Sequence, residues 1–122
     1  MGYSALLMDH FTRPRNGGPL EDADAEGVAG VPFQGNFMVL RVRLDGDRIA
    51  EARFQCHGCG PTIACGSYLT TLLLGRTASE CANITVDALA EALAVPPHKA
   101  SSPALAVHAL EDLVRSLGLG GA

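Results

Sequence analysis

Four cysteines carry most of the reactive chemistry in this chain, and Cys56 and Cys59 stand in a C-x-x-C spacing within Gln55-Cys56-His57-Gly58-Cys59-Gly60. That spacing alone fits a zinc site, a redox pair or an iron–sulfur cluster. Cys59 is the stronger candidate, because glycines flank it and Pro61 is well placed as a first helical residue. A thiol at a helix start meets unpaired backbone N–H groups and the positive end of the helix dipole. Both favour the thiolate, the form that binds a soft metal or attacks an electrophile. Cys56 falls in step with Ala50, Ala52 and Phe54 on an alternating segment, so core packing is expected ahead of ligation. Cys65 is in helical step with Leu69 and Leu72, and Cys81 sits in a short helix beside alanine; both read first as packing residues. The histidines do not complete a four-ligand zinc site. His10 and His108 lie inside helical patterns far apart, and His57 points opposite to Cys56, which leaves His98 as a candidate ligand near the break before the last helix.

The elements that must position these groups follow from periodicity. Tyr3, Leu7 and Phe11 recur at helical spacing until Pro14 and Gly17-Gly18 stop them. Leu20 to Gly30 is acidic and rich in small residues, and reads as an exposed loop. Met38, Leu40, Val42 and Leu44 alternate with Val39, Arg41 and Arg43; after Asp45-Gly46-Asp47 a second alternation runs to Cys56, giving an antiparallel hairpin. The second strand feeds a helix through Cys59, and that helix runs to Leu74 and stops at Gly75. Thr77 and Glu80 form a capping-box pattern, Val86 to Leu93 reads as another helix, and Pro96-Pro97 breaks it. Ser102-Pro103 reads as the cap and first position of a last helix with Ala106, Leu110, Leu113 and Leu117 on one face. The expected class is α+β: a small antiparallel sheet of about three strands packed against helices on one side.

With 122 residues the chain is expected to fold as one domain over 1–122. A net charge of -4 with scattered basic residues builds no electropositive stripe, so nucleic acid is not an expected partner. No apolar run is long enough for a membrane span, and Met1 to Thr12 lacks a signal-peptide pattern, so a cytoplasmic protein is expected. No phosphate-binding loop and no nucleophile elbow are present, and no enzyme activity is expected.

The residues also resemble a known family in order along nearly the whole chain. Tyr3-Ser4, Asp9-His10-Phe11 and Arg13-Pro14-Arg15-Asn16-Gly17 are similar to the N-terminal helix and Pro-Arg-Asn turn of the IscU/NifU-type iron–sulfur scaffolds. Gly30-Val31-Pro32, then Ala52-Arg53-Phe54, Gly58-Cys59-Gly60 and Ile63-Ala64, look like its next blocks, and Val95-Pro96-Pro97-His98-Lys99 resembles the Leu-Pro-Pro-Val-Lys segment gripped by a dedicated chaperone. The resemblance implies a cluster held by three cysteines, assisted by an aspartate and a histidine. Cys59 matches the middle cysteine. Gln34 occupies the first cysteine's place, Asn36 the aspartate's, and Ser101 and Ser102 the adjacent His and Cys, while His98 stands in the valine position. Amide and hydroxyl groups are poor ligands for iron with sulfide. Three roles are therefore expected. The chain holds iron or a cluster through Cys59, with help from Cys56, Cys65, His98 or a second protomer. Alternatively it docks a cysteine desulfurase or another assembly protein, or relays sulfur on Cys59 without holding iron.

Overall fold

Three strands, β1 (Ala25–Val31), β2 (Gln34–Asp45) and β3 (Arg48–His57), pair antiparallel in the order β1-β2-β3. They belong to a computed structural model that describes residues 2–31 and 34–118. Pro32, which ends one of the segments compared above, and Phe33 lie outside the described residues. The β2–β3 turn is tight because Gly46 takes a φ of 65°, open to glycine at little cost. One sheet face buries Ala25, Ala29, Met38, Leu40, Val42, Ala52 and Phe54. The other carries Arg41, Arg43 and Arg53 in ion pairs with Glu26 and Glu51. The apolar face packs on α2 (Gly60–Leu73) and α5 (Ser101–Ser116), the expected α+β arrangement.

β1 corrects the expectation of an exposed loop over Leu20 to Gly30. Ala25, Gly27 and Ala29 alternate inward, and their smallness is what lets α5 approach. A Cβ on Gly27 would collide with the carbonyl of Ala109 and lie 2.5 Å from the backbone nitrogen of Leu113. A second correction concerns β3, where Ile49 is buried and Ala50 exposed, because the pairing register shifts between Arg43 and Leu44. Both sheet edges are closed. Asp112 of α5 accepts from the Val28 N–H at 2.8 Å on β1. On β3, Phe54 bonds Asn16 and Gly18, and Ile49 bonds Gly75 and Arg76.

The remaining helices are α1 (Ala5–Thr12), α3 (Ala78–Cys81) and α4 (Val86–Leu93). Ser4 caps α1 by accepting from the Leu7 N–H, and donates to the Leu93 carbonyl at 2.7 Å, tying α1 to α4. Leu7 is fully buried as its spacing implies, but Phe11 is 38% exposed because its ring lies over Gly60. Thr77 and Glu80 form both halves of the capping box. The break after Leu93 becomes a 3-10 turn at Pro97–Lys99 that runs through Ala100 into α5. Ser102 and Pro103 therefore sit inside the first turn of α5 and do not cap it, with consequences for Cys59. No helix among the described residues is long and apolar enough to cross a membrane.

Candidate functional site

Strand β3 delivers the chain to the mouth of α2, where Cys59 is the N-cap residue in extended conformation. Its carbonyl accepts from the N–H groups of Thr62 and Ile63 at 3.0 and 3.2 Å, so the thiol stands at the open end of the helix. The glycines on either side have steric reasons. A side chain at Gly58 would strike Thr62, and one at Gly60 would press on the ring of Phe11.

Below the thiol lie two hydroxyls. Cys59 Sγ is 3.5 Å from Thr62 Oγ1 and 3.5 Å from Ser102 Oγ, and the two oxygens are 3.1 Å apart. Thr62 and Ser102 are each 2% exposed, and neither hydroxyl has another partner among the described residues. Both are thus satisfied only by each other and by Cys59. Partial burial pushes the Cys59 thiol up, but the Ser102 and Thr62 hydroxyls and the Lys99 ammonium outweigh it and bring the thiol down to about 7. The other cysteines go the opposite way. Burial pushes Cys56 up to about 11 and Cys65 up to about 12, the negative charge of Cys59 adding to both, and burial pushes Cys81 up to about 11. At neutral pH the reactive thiolate of this chain is Cys59.

The sequence-derived site residues divide accordingly. Cys59 and Ser102 are brought into contact. Ser101, one residue earlier, is exposed. Gln34 and Asn36 are exposed at the start of β2, and His98 is exposed on the 3-10 turn. Cys56 is half-buried against the core, while Cys65 and Cys81 are fully buried, as their phase implies. His57 points away from Cys56 and stacks on Phe37, ring centroids 6.4 Å apart. Among the described residues no trio of His, Cys, Asp and Glu side chains is placed to hold a metal ion. Two contributors went unread in the sequence. Thr62 carried a signal in its position three residues after the N-cap; the charge of Lys99 on Cys59 arises from tertiary packing and had none.

Comparison with known proteins matches residues 2–117 to the family described as NifU-like N terminal domain. The iron-sulfur cluster assembly scaffold protein IscU 1 of Archaeoglobus fulgidus is 41% identical over 113 residues, covering 92% of this chain and 74% of that protein. The scaffold protein IscU of Azotobacter vinelandii is 38% identical over 119 residues, covering 94% and 93%. Among solved structures, a putative iron-sulfur cluster assembly scaffold protein for the SUF system of Fervidobacterium islandicum superposes with a TM-score of 0.73. It is 21% identical and covers 92% of this chain and 96% of that one, a likeness in fold.

Proposed function

This chain belongs to the NifU-like N-terminal domain family, and on that premise we propose that it serves in iron–sulfur cluster assembly as a scaffold-like carrier. It takes its cargo, iron or a preformed cluster, on Cys59. The observation that carries this reading is the thiolate itself: Cys59 is poised at a helix N-terminus, with its charge held by two buried hydroxyls and Lys99. Its neighbours do not extend the ligand set. Ser102 Oγ supports the sulfur and offers iron a neutral hydroxyl, and Gln34 and Asn36 offer amide groups. A whole domain, residues 1–122, is the unit proposed to do this, with a cysteine desulfurase or another assembly protein as partner and the cytoplasm as its compartment. No catalytic role is proposed.

Anaerobic reconstitution of the purified protein with iron and sulfide tests the reading. Visible colour and bound iron are expected in the wild type and absent in Cys59→Ser, and a colourless wild type overturns it. The contact between Cys59 and Ser102 favours one alternative, a sulfur relay, because a lone supported thiolate needs no second ligand to take sulfur from a donor persulfide. There the Cys59 thiolate attacks the outer sulfur, a new S–S bond forms as the old one breaks, and the donor leaves as its thiolate. A mass increase of one sulfur on Cys59, without iron uptake, would move the assignment to that role.

A further inference from the structure

The turn segment 13–17 contains Asn16-Gly17, a pair that the site around Cys59 does not use. Asparagine before glycine is chemically labile, because a residue without a Cβ lets its backbone nitrogen reach the carbon of the preceding side-chain amide. The fold leaves that nitrogen free and restrains the amide. The Asn16 carbonyl accepts from the Phe54 N–H and the Gly18 N–H donates to the Phe54 carbonyl, both at 2.9 Å, whereas the Gly17 N–H between them has no hydrogen-bond partner among the described residues. Gly17 is exposed, and its backbone does not require glycine: it has no positive φ, and a Cβ there would lie 3.9 Å from the Phe54 ring, an ordinary contact. Asn16 is half-buried in the left-handed conformation that asparagine tolerates, with a φ of 61°. Its Nδ2 donates to Thr70 Oγ1 at 3.1 Å, and Thr70, fully buried in α2, donates in turn to the Ser67 carbonyl at 2.7 Å.

We propose that Asn16 is a site of spontaneous deamidation, gated by its hydrogen bond to Thr70, and that the isoaspartate formed there releases residues 16–18 from β3. When the carboxamide leaves Thr70, the Gly17 nitrogen gives up its proton to solvent hydroxide and bonds to the side-chain carbonyl carbon of Asn16. The amide nitrogen departs as ammonia, taking a proton from water, and a cyclic imide remains. Water opens this ring. Cleavage at the main-chain carbonyl leaves isoaspartate, cleavage at the side-chain carbonyl leaves aspartate, and the net change is one water in and one ammonia out, without oxidation. Isoaspartate routes the chain through the former side-chain carbon, which adds a methylene to the backbone and converts the carbonyl that Phe54 uses into a free carboxylate. The Thr70 hydroxyl loses its amide donor, and Gly18 is carried out of register with Phe54. The edge of β3 that this segment closes is then open to solvent. The modification is independent of any cargo on Cys59.

The experiment incubates the full chain at mildly alkaline pH, natively and in urea, and follows isoaspartate at residue 16 by peptide mass spectrometry with isoaspartyl methyltransferase labelling. Residue 16 is expected to react in the native protein, more slowly than in urea because the bond to Thr70 must open first. Thr70→Val keeps the shape and removes the acceptor. Loss of a hydrogen bond of ordinary net strength should make its native reaction about fivefold faster than the wild type's, with the rate in urea unchanged. Gly17→Ala, which the fold accommodates, is expected to lose most of the product. In the purified isoaspartate form, amide hydrogen exchange at Phe54 and Gly18 should accelerate while the Leu40 amide, in the middle of β2, keeps its rate. The proposal is overturned by an unmodified Asn16 in the native chain, equal rates with and without urea, or a wild-type rate in Thr70→Val or Gly17→Ala. A rise in Thr70→Val matched by faster Leu40 exchange, or unchanged exchange at Phe54 in the isoaspartate form, overturns it as well.

Discussion

At Cys59 a single sulfur atom is set apart from three others by its surroundings alone. Its thiol ionises near 7, well below the ordinary value of 9.0, while Cys56, Cys65 and Cys81 are pushed above it. Thiolates alkylate and thiols do not, so iodoacetamide at neutral pH is expected to place one adduct on the native protein, at Cys59. The rate should rise with pH through about 7. Ser102→Ala removes a hydroxyl that touches the sulfur. A hydrogen bond to a charged group is worth about 1.5 kcal/mol, so the alkylation midpoint should move up by about one pH unit. An unmoved midpoint, read by mass spectrometry across pH, would assign the effect to the end of α2 and Lys99 without Ser102. The sequence showed the thiol and its place at a helix start. It concealed Ser102, which reads as a cap because Ser-Pro is a common helix opening, whereas the 3-10 turn starts α5 earlier and rotates that side chain inward.

Elements were legible where polarity alternates with apolarity, as in β2 and β3, and where caps are chemical, as at Thr77 and Glu80. β1 was not, because alternation between alanine, glycine and acidic residues carries little hydrophobic contrast. Its signal is steric and appears only against α5. Gly27→Val forces a branched side chain into the backbone of Ala109 and Leu113 and should cost about 3 kcal/mol or more in denaturant unfolding; a loss under about 1 kcal/mol would show that α5 can move away. Helix α1 makes a pH-dependent attachment. The Arg15 N–H donates to Ser67 Oγ at 2.8 Å, and the same hydroxyl is hydrogen-bonded to the buried His10 ring at Nδ1, 2.6 Å away. Burial first, then the Arg15 charge, lowers the His10 pKa from its ordinary 6.5, with Asp9 opposing. The unfolded chain binds that proton more readily. The stability it confers is therefore present above 6.5 and declines as pH falls below it, by at most about 1.4 kcal/mol per pH unit. Between about pH 7 and pH 5, urea unfolding should show a shallower decline for His10→Gln than for the wild type, and equal slopes would remove His10 as the source.

Across the whole molecule the hydrophobic pattern and the ordered motifs were enough for class and for the β2–β3 pairing, since burial on one sheet face is dictated by sequence alternation. The site was only partly legible, because its supporting groups come from α2, the 3-10 turn and α5, elements far apart in sequence. α5 joins these scales: it covers β1, and its first turn holds Ser102 against Cys59. The cysteines then serve as reporters of two different openings. Cys59 reacts from the native state, but Cys65 and Cys81 are fully buried and become accessible only when the core opens. Leu110, 1% exposed on the buried face of α5, is a core residue whose truncation to alanine should cost about 2–4 kcal/mol. If core opening is global, Leu110→Ala raises the open population by roughly 30-fold to several-hundred-fold, and the labelling of Cys65 and Cys81 accelerates in proportion. Cys59 labelling should stay within about twofold, since it needs no opening. Acceleration of Cys81 without Cys65 would instead mean that α3 and α5 separate locally while α2 stays packed on the sheet, dividing the core into two cooperative units.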